Sequence, residues 1–595
     1  MRILLPTFIA AFLTSSIGLC AGKTTARLEE CLQTAGAADK VIAWVFFGNK
    51  GTEEALKANV PRSVVSQRSL LRRQKVRDGG EVVDYSDLPV EASFVETLSA
   101  LGARVRQRSR WFNAASISAT PAQLRCIEEL PFVAKVDLVW RARRNPEPEP
   151  TGPTLRRLHS DQALSFDYGF SLEQVSLINV PAVHNMGNYG QGVIVGDFDN
   201  GFRLLEHEAF DSLRPRIIAT YDFVDHKVSV VPDNPNPGFG AHGIVTLSTL
   251  AGFAPGNLIG PAFGAQFILA RTENDSSETP IEEDNWVAAI EWADSVGVDV
   301  TSTSLGYLTY DPPYTSWTWQ DMNGNTTLIT RAADMAVSKG IVVVNSAGNN
   351  GLNTSHNTLN APADGDSVIT VGAATPQGTR AGFSSVGPTT SIPPHIKPDI
   401  MATGTTVRCA SAIDPHQYQY QQGTSLSCPL AAGVAAMLLH AKPTATPVEV
   451  ANALRNTASQ ASTPDNLMGW GIINALAAVR YISGDTLARP PTSGFHLMNA
   501  FPNPFPSPTN PSLTIQAYLP EQSLVTITIF NSLGQEVRTL LNNSEQASGA
   551  SIDVRWNGIS NQGRPVAGGV YYCRILGTGV SGRTYSDTKK VIVLR

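Results

Sequence analysis

Short runs rich in β-branched residues recur between residues 160 and 482, each separated from the next by a stretch of helical spacing. Val193-Ile-Val195, Gln266-Phe-Ile-Leu269, Val298-Asp-Val300, Ile341-Val-Val-Val344 and Val368-Ile-Thr-Val371 are the clearest. Near-continuous apolar strands have no face to give to water. Strands of this kind, alternating with helices, imply an α/β fold with a parallel sheet covered by helices on both faces. Open parallel sheets bind ligands at the carboxyl ends of their strands. Chemistry is therefore expected at that edge.

The residues at and near those ends include catalytic types. Gly423-Thr-Ser-Leu-Ser-Cys-Pro429 leads into the apolar helical run 430–439. Gly423 permits a tight turn, and Ser425 falls where a helix begins. Free N–H groups and the positive end of the helix dipole favour a developing anion there. Pro429 is tolerable only near a helix start, because it has no N–H to donate. A serine so placed is either an N-cap or a nucleophile that needs a base. His242 stands in Gly238-Phe-Gly-Ala-His-Gly-Ile-Val, at the head of another helical run. A carboxylate must orient such a base. Val193-Ile-Val-Gly-Asp-Phe-Asp-Asn-Gly-Phe202 offers Asp199, with Asp197 as a rival on the same strand face. Ile341-Val-Val-Val-Asn-Ser-Ala-Gly-Asn349 places an amide donor, Asn349, beyond another strand end.

The order Asp, His, Asn, Ser resembles the subtilase family of serine endopeptidases over residues 165–482. The motifs that carry the resemblance are D-N-G-F (199–202), H-G (242–243), S-L-G (304–306), S-A-G-N (346–349) and G-T-S-x-S-x-P (423–429). The resemblance implies a subtilisin-like sheet and a catalytic triad of Asp199, His242 and Ser425. It implies that Asn349 and the Ser425 N–H form the oxyanion hole. Ser304, Leu305 and Gly306 would be an exposed strand edge that binds substrate backbone. Three positions depart from the family pattern: Ile244 after His-Gly, Asn200 after the acid, and Asp197 two residues before it. Glycine two residues after the acid favours Asp199 over Asp197. Protein or peptide substrates follow. No cofactor is needed for the chemistry. Loops such as 231–237 and 273–275 hold oxygen ligands for a structural calcium, but not at a recognisable spacing.

The flanks differ in character. Met1-Arg2, an apolar run to Phe12 and small residues up to Gly22 read as a secretory signal peptide, so the chain is expected to be secreted or held at a bacterial cell surface. No later segment is apolar for long enough to span a membrane. Residues 23–145 mix strand-like and helical pieces, as in a small α+β domain. They carry 20 Lys and Arg against 14 Asp and Glu, although the whole chain has a net charge of −6. That overall balance gives no sign of nucleic-acid binding. A basic segment ahead of an acidic remainder suggests intramolecular docking. It resembles a subtilase propeptide, an inhibitor that would act in trans more weakly as salt rises. The Pro/Glu-rich stretch 146–164 reads as a linker; self-cleavage is expected between about Arg141 and Tyr168, with the run Arg141–Arg144 as an alternative site for another protease. A second linker, 483–495, precedes residues 496–595. There, alternating strands and Gly turns suggest an all-β Ig-like sandwich. That tail resembles either type IX secretion sorting domains or hook-capping-type Ig modules, which implies an export machinery as partner. Six cysteines, one of them in the signal-like run, fix no disulfide pattern.

An inactive binding relative would have lost a member of the triad, and none is lost. An adhesion protein would act chiefly through its tail. Reactivity of Ser425 separates a protease from a binding relative.

Overall fold

The computed structural model describes residues 22–51, 64–77, 82–139, 164–234, 236, 238–275, 281–308, 316–484, 496–497, 513–519, 522–546, 551–580 and 582–593. Residues 1–21, the run Arg141–Arg144 and most of both expected linkers lie outside the described residues.

The N-terminal part is built on four strands: β1 (Val41–Phe47), β2 (Arg104–Ser109), β3 (Ala114–Ala119) and β4 (Val133–Leu138). They form one antiparallel sheet in the order β2-β3-β1-β4. Helices α1 (Ala26–Thr34), α3 (Ala92–Ala100) and α4 (Pro121–Glu128) cover one face through Leu28, Leu98, Leu124 and Ile127. A capping box on Thr120 and Gln123 and a proline at its first position start α4. Helix α2 (Gln67–Gln74) meets the central part, where its Arg72 and Arg73 pair with Asp294.

The central part is a seven-stranded sheet. Its strands are β5 (Ile194–Asp199), β6 (Ile217–Asp222), β7 (Gln266–Arg271), β8 (Val300–Thr303), β9 (Val342–Ser346), β10 (Ile369–Ala374) and β11 (Ile400–Thr403). The order is β11-β10-β9-β8-β5-β7-β6, and every neighbouring pair is parallel. Alternate residues of β5 serve opposite faces. Val195 joins a core shared with α5 (Ala241–Ala251) and α8 (Thr424–Ala441). Ile194 and Phe198 join a second core with Trp286 and Ala332, from α6 (Ile281–Val296) and α7 (Leu328–Ser338). Each fully buried aliphatic side chain in these layers contributes about 1.5–3 kcal/mol. The core continues to Tyr168 at one end and to Ile482 at the other. Strands β6 and β11 carry no clear run in the sequence, and β8 begins at Val300 rather than Val298.

The C-terminal strands form two antiparallel sheets. One holds β12 (His496–Leu497), β13 (Leu513–Tyr518) and β16 (Ser551–Trp556). The other holds β14 (Ser523–Asn531), β15 (Glu536–Gln546), β17 (Gly569–Gly579) and β18 (Thr584–Val593). Ile515, Ile527, Trp556, Cys573 and Val591 share one core.

Candidate active site

Asp199 is the last residue of β5, Ser304 follows β8, and Asn349 lies three residues beyond β9. These three strands are neighbours, so one stretch of the carboxyl edge collects all three residues. His242 and Ser425 come from above, each the second residue of its helix. The two helices pack together, with Val245 of α5 against Leu426 of α8.

Asp199 is fully buried and meets three donors. His242 Nδ1 lies 2.7 Å from its Oδ1. The Asn200 backbone N–H donates to the same oxygen at 2.7 Å, and Thr246 Oγ1 donates to Oδ2 at 2.9 Å. Thr246 is one helical turn after His242, so both side chains face β5. The sequence reading missed Thr246; its i+4 spacing from the histidine was the available signal. Gly243 lets the helix approach closely, since a Cβ there would stand 2.2 Å from the Gly201 carbonyl.

The rival carboxylate does not compete for the histidine. Asp197 is fully buried, and neither of its oxygens has a hydrogen-bond partner among the described residues. Burial, and then the nearby charge of Asp199, push its carboxyl well above the usual range. It stands across from Ser302 of β8.

Gly423 opens α8 with φ 147°, a conformation that favours glycine. Ser425 follows, buried, with its hydroxyl donating to the Ser304 carbonyl at 3.3 Å. Pro429 lies four residues on and cannot donate to the Ser425 carbonyl as an ordinary helix residue would. Ser304 Oγ supplies that hydrogen bond instead, at 2.8 Å. Cys428, between α8 and the sheet, donates to the Thr303 carbonyl at 3.3 Å, and burial pushes its thiol up to about 12. Among the described residues, Cys126, Cys409, Cys428 and Cys573 form no disulfide.

Asn349 is half-buried beside the start of α8. Its Oδ1 accepts from the Thr424 backbone N–H at 2.9 Å and from Thr424 Oγ1 at 3.0 Å. The amide is planar, so fixing the oxygen fixes Nδ2 on the opposite side as a donor.

Ser304, Leu305 and Gly306, the expected substrate-binding segment, lie just past the end of β8. The strand ends at Thr303, Ser304 is buried, and the Leu305 carbonyl accepts from Asn345 Nδ2 at 3.0 Å. Leu305 and Gly306 are half-buried. Among the described residues, no group of three or more His, Cys, Asp or Glu side chains could hold a metal ion.

The N-terminal sheet docks on α6 and α7 at a distance from these groups. Ile42, Trp44 and Ala114 pack with Ile281 and Leu328. Around this apolar contact lies a buried ionic one. Arg73 forms a bidentate pair with Asp87, at 2.7 and 2.8 Å, and reaches Asp294 of α6 at 2.5 Å. Arg72 also binds Asp294, Lys339 binds Asp87 at 3.2 Å, and Ser109 binds Glu291 at 2.5 Å. Burial raises the Asp294 carboxyl, but Arg73 and Arg72 reverse this and hold it below its usual range. Asp284 is bonded to Ser116 of β3; burial outweighs that bond and the charge of Arg106 and pushes its carboxyl up to about 8. The charge complementarity read from composition is present, but as buried pairs. Salt screens such pairs far less than exposed ones.

Comparison with known proteins gives matches over both parts. A family model described as "Subtilase family" matches residues 190–471. A second, "Peptidase S8 propeptide domain, Bacteroidota", matches residues 42–152. Subtilisin NAT of Bacillus subtilis subsp. natto is 30% identical over 388 residues, covering 65% of this chain and 85% of that one. Subtilisin of Bacillus pumilus is 33% identical over 321 residues, covering 53% of this chain and 100% of that one. Serine protease AprX of Bacillus subtilis is 30% identical over 315 residues, covering 48% of this chain and 66% of that one.

Proposed function

Because this chain belongs to the subtilase family, as a serine-type endopeptidase made with a propeptide, we propose that it cleaves peptide bonds through Asp199, His242 and Ser425. The observation that carries this assignment is the 2.7 Å contact between His242 Nδ1 and Asp199, on a helix packed against the one that Ser425 opens. With Nδ1 committed to Asp199, proton exchange falls to Nε2. His242 takes the proton of Ser425 Oγ as that oxygen attacks the substrate carbonyl, and Asp199 stabilises the imidazolium that forms. The oxyanion is met by Asn349 Nδ2 and the Ser425 N–H, at the positive end of α8. His242 then gives its proton to the leaving amine. An acyl-enzyme remains on Ser425, and water hydrolyses it by the same route in reverse. The substrate chain lies along Leu305 and Gly306, and these steps use no group beyond those named.

The enzyme is secreted or held at the cell surface of a bacterium. The signal-like run at residues 1–22 and the Ig-like C-terminal sheets, offered to an export machinery, support that reading. The test is Ser425→Ala. Hydrolysis of a denatured protein substrate should fall by several orders of magnitude, with the fold retained by circular dichroism. More than a tenth of wild-type activity in the purified variant would overturn the assignment.

A further inference from the structure

Helix α5, which carries His242, begins without a cap of its own. Its N-cap residue is Gly240, which has no side chain to accept a hydrogen bond. The first N–H groups of a helix are left without intrahelical partners. Two side chains from other loops meet them here. Asn200 Oδ1 accepts from the Gly243 N–H, the third helical residue, at 3.0 Å. Asp275 Oδ2 accepts from the Gly240 N–H at 2.9 Å. An N-cap side chain bonded to the third residue, with an acid bonded to the N-cap, is the pattern of a capping box. Here both halves come from outside the helix. They are also joined, because Asn200 Nδ2 donates to Asp275 Oδ1 at 2.6 Å.

The clasp is anchored at the strand ends. The Asn200 backbone N–H donates to Asp199, and its carbonyl accepts from Arg271 Nε at 3.2 Å. Arg271 in turn pairs with Asp222 at 2.8 Å, so the ends of β5, β6 and β7 are tied together. Asn200 is fully buried, and each of its polar groups is engaged. The Asn200 amide accepts from a helix N–H through its oxygen and donates to a carboxylate through its nitrogen. Aspartate lacks the donor.

We propose that Asn200 and Asp275 are positioning residues that cap the His242 helix from outside and so hold the imidazole against Asp199. The inference rests on the Asp199, His242 and Ser425 assignment. Asn200 acts only through its neighbours. Losing the clasp lets the helix start shift while the triad residues stay intact.

The experiment is a cycle on the full-length chain: Asn200→Ala, Asn200→Asp, Asp275→Asn and the Asn200→Asp/Asp275→Asn double variant. Each is assayed for kcat, KM and the pH profile of kcat/KM, and labelled with a fluorophosphonate. For Asn200→Ala, kcat should fall roughly 10- to 100-fold with KM within about twofold, as a small misplacement of a catalytic group predicts. The acid limb should move to lower pH, because an imidazolium held less closely by Asp199 loses its proton more readily. Lost stability alone would not move that limb. Asn200→Asp should be impaired too, since it faces Asp275 with a second carboxylate. The double variant restores every hydrogen bond with the direction of one reversed, and kcat should recover about tenfold over Asn200→Asp. Should Asn200→Ala fail to mature, the comparison of Asn200→Asp with the double variant still decides. Unchanged kcat and pH profile in Asn200→Ala, or a double variant no better than Asn200→Asp, would overturn the clasp while labelling of Ser425 persists. Absence of label on Ser425 in the wild-type enzyme would instead remove the assignment beneath it.

Discussion

Two carboxylic acids share one face of β5, and their surroundings set them apart. Asp199 receives three donors, whereas Asp197 receives none among the described residues and burial pushes its carboxyl up. The consequence for activity is that Asp199→Asn should cost kcat far more than Asp197→Asn; the reverse ranking in steady-state assays would exchange their roles. The consequence for stability has a definite sign. The folded state raises the Asp197 pKa above the ordinary value of about 3.9. Its stabilising effect is therefore complete below that value and is lost as pH rises through the folded pKa. Asp197→Asn should gain in melting temperature over wild type as pH increases, and a gain that shrinks with pH would contradict this. Asn349 has a separate test. Its fixed amide predicts a loss of about 10²–10³ in kcat for Asn349→Ala, with KM little changed. An unaltered kcat would take Asn349 out of the oxyanion hole.

Helices and strands place these groups by local rules, and some of those rules were legible in the chain. The β-branched runs at 193, 266, 341 and 368 gave a parallel sheet, because strands buried on both faces leave an unbroken apolar signature. Strand β2, Arg104–Ser109, left none: its alternating arginines give no apolar run, yet it pairs with β3 at a sheet edge. Ser425 and His242 were legible because glycine and a helical run flank each. Thr246 and the partner of Pro429 were not, because their contacts cross between distant segments. Ser304 also makes a contact that its motif does not reveal: its hydroxyl satisfies the carbonyl that Pro429 leaves without a donor. Ser304→Ala should therefore destabilise the protein by about 1–3 kcal/mol, the cost of an unsatisfied buried carbonyl. Thermal unfolding of the purified variant checks this, and an unchanged melting temperature would argue against it.

The whole molecule joins an enzyme body to an N-terminal domain through buried charges. Removing one partner of such a network is costly, so Arg73→Ala should weaken the docked precursor by about 3–5 kcal/mol. The interface also has a pH signature. Docked, Asp284 has a pKa of about 8; released into water it returns to about 3.9. Its contribution to docking is complete below the lower value and is lost as pH rises through the upper one. Asp294 and Asp87 are held low by Arg73 and Lys339 despite their burial, so they act in the opposite sense and lose their contribution in acid. Inhibition by the cleaved but still docked domain should weaken progressively as pH rises from about 4 to about 8, and Asp284→Asn should weaken less over that range. Equal pH dependence in both proteins would exclude Asp284 as the cause. Processing provides a further test. Wild-type protein should lose the N-terminal domain by cleavage between Arg141 and Tyr168, while Ser425→Ala keeps it. N-terminal sequencing of the two, made in one host, reads this directly, and identical processing would rule out self-cleavage. The central claim, that Ser425 is the nucleophile of this enzyme, is tested most directly by labelling the processed protein with a fluorophosphonate and mapping the label by peptide mass. A single adduct on Ser425 is expected. An adduct on a different residue, or none on Ser425 in protein that hydrolyses peptides, would contradict it.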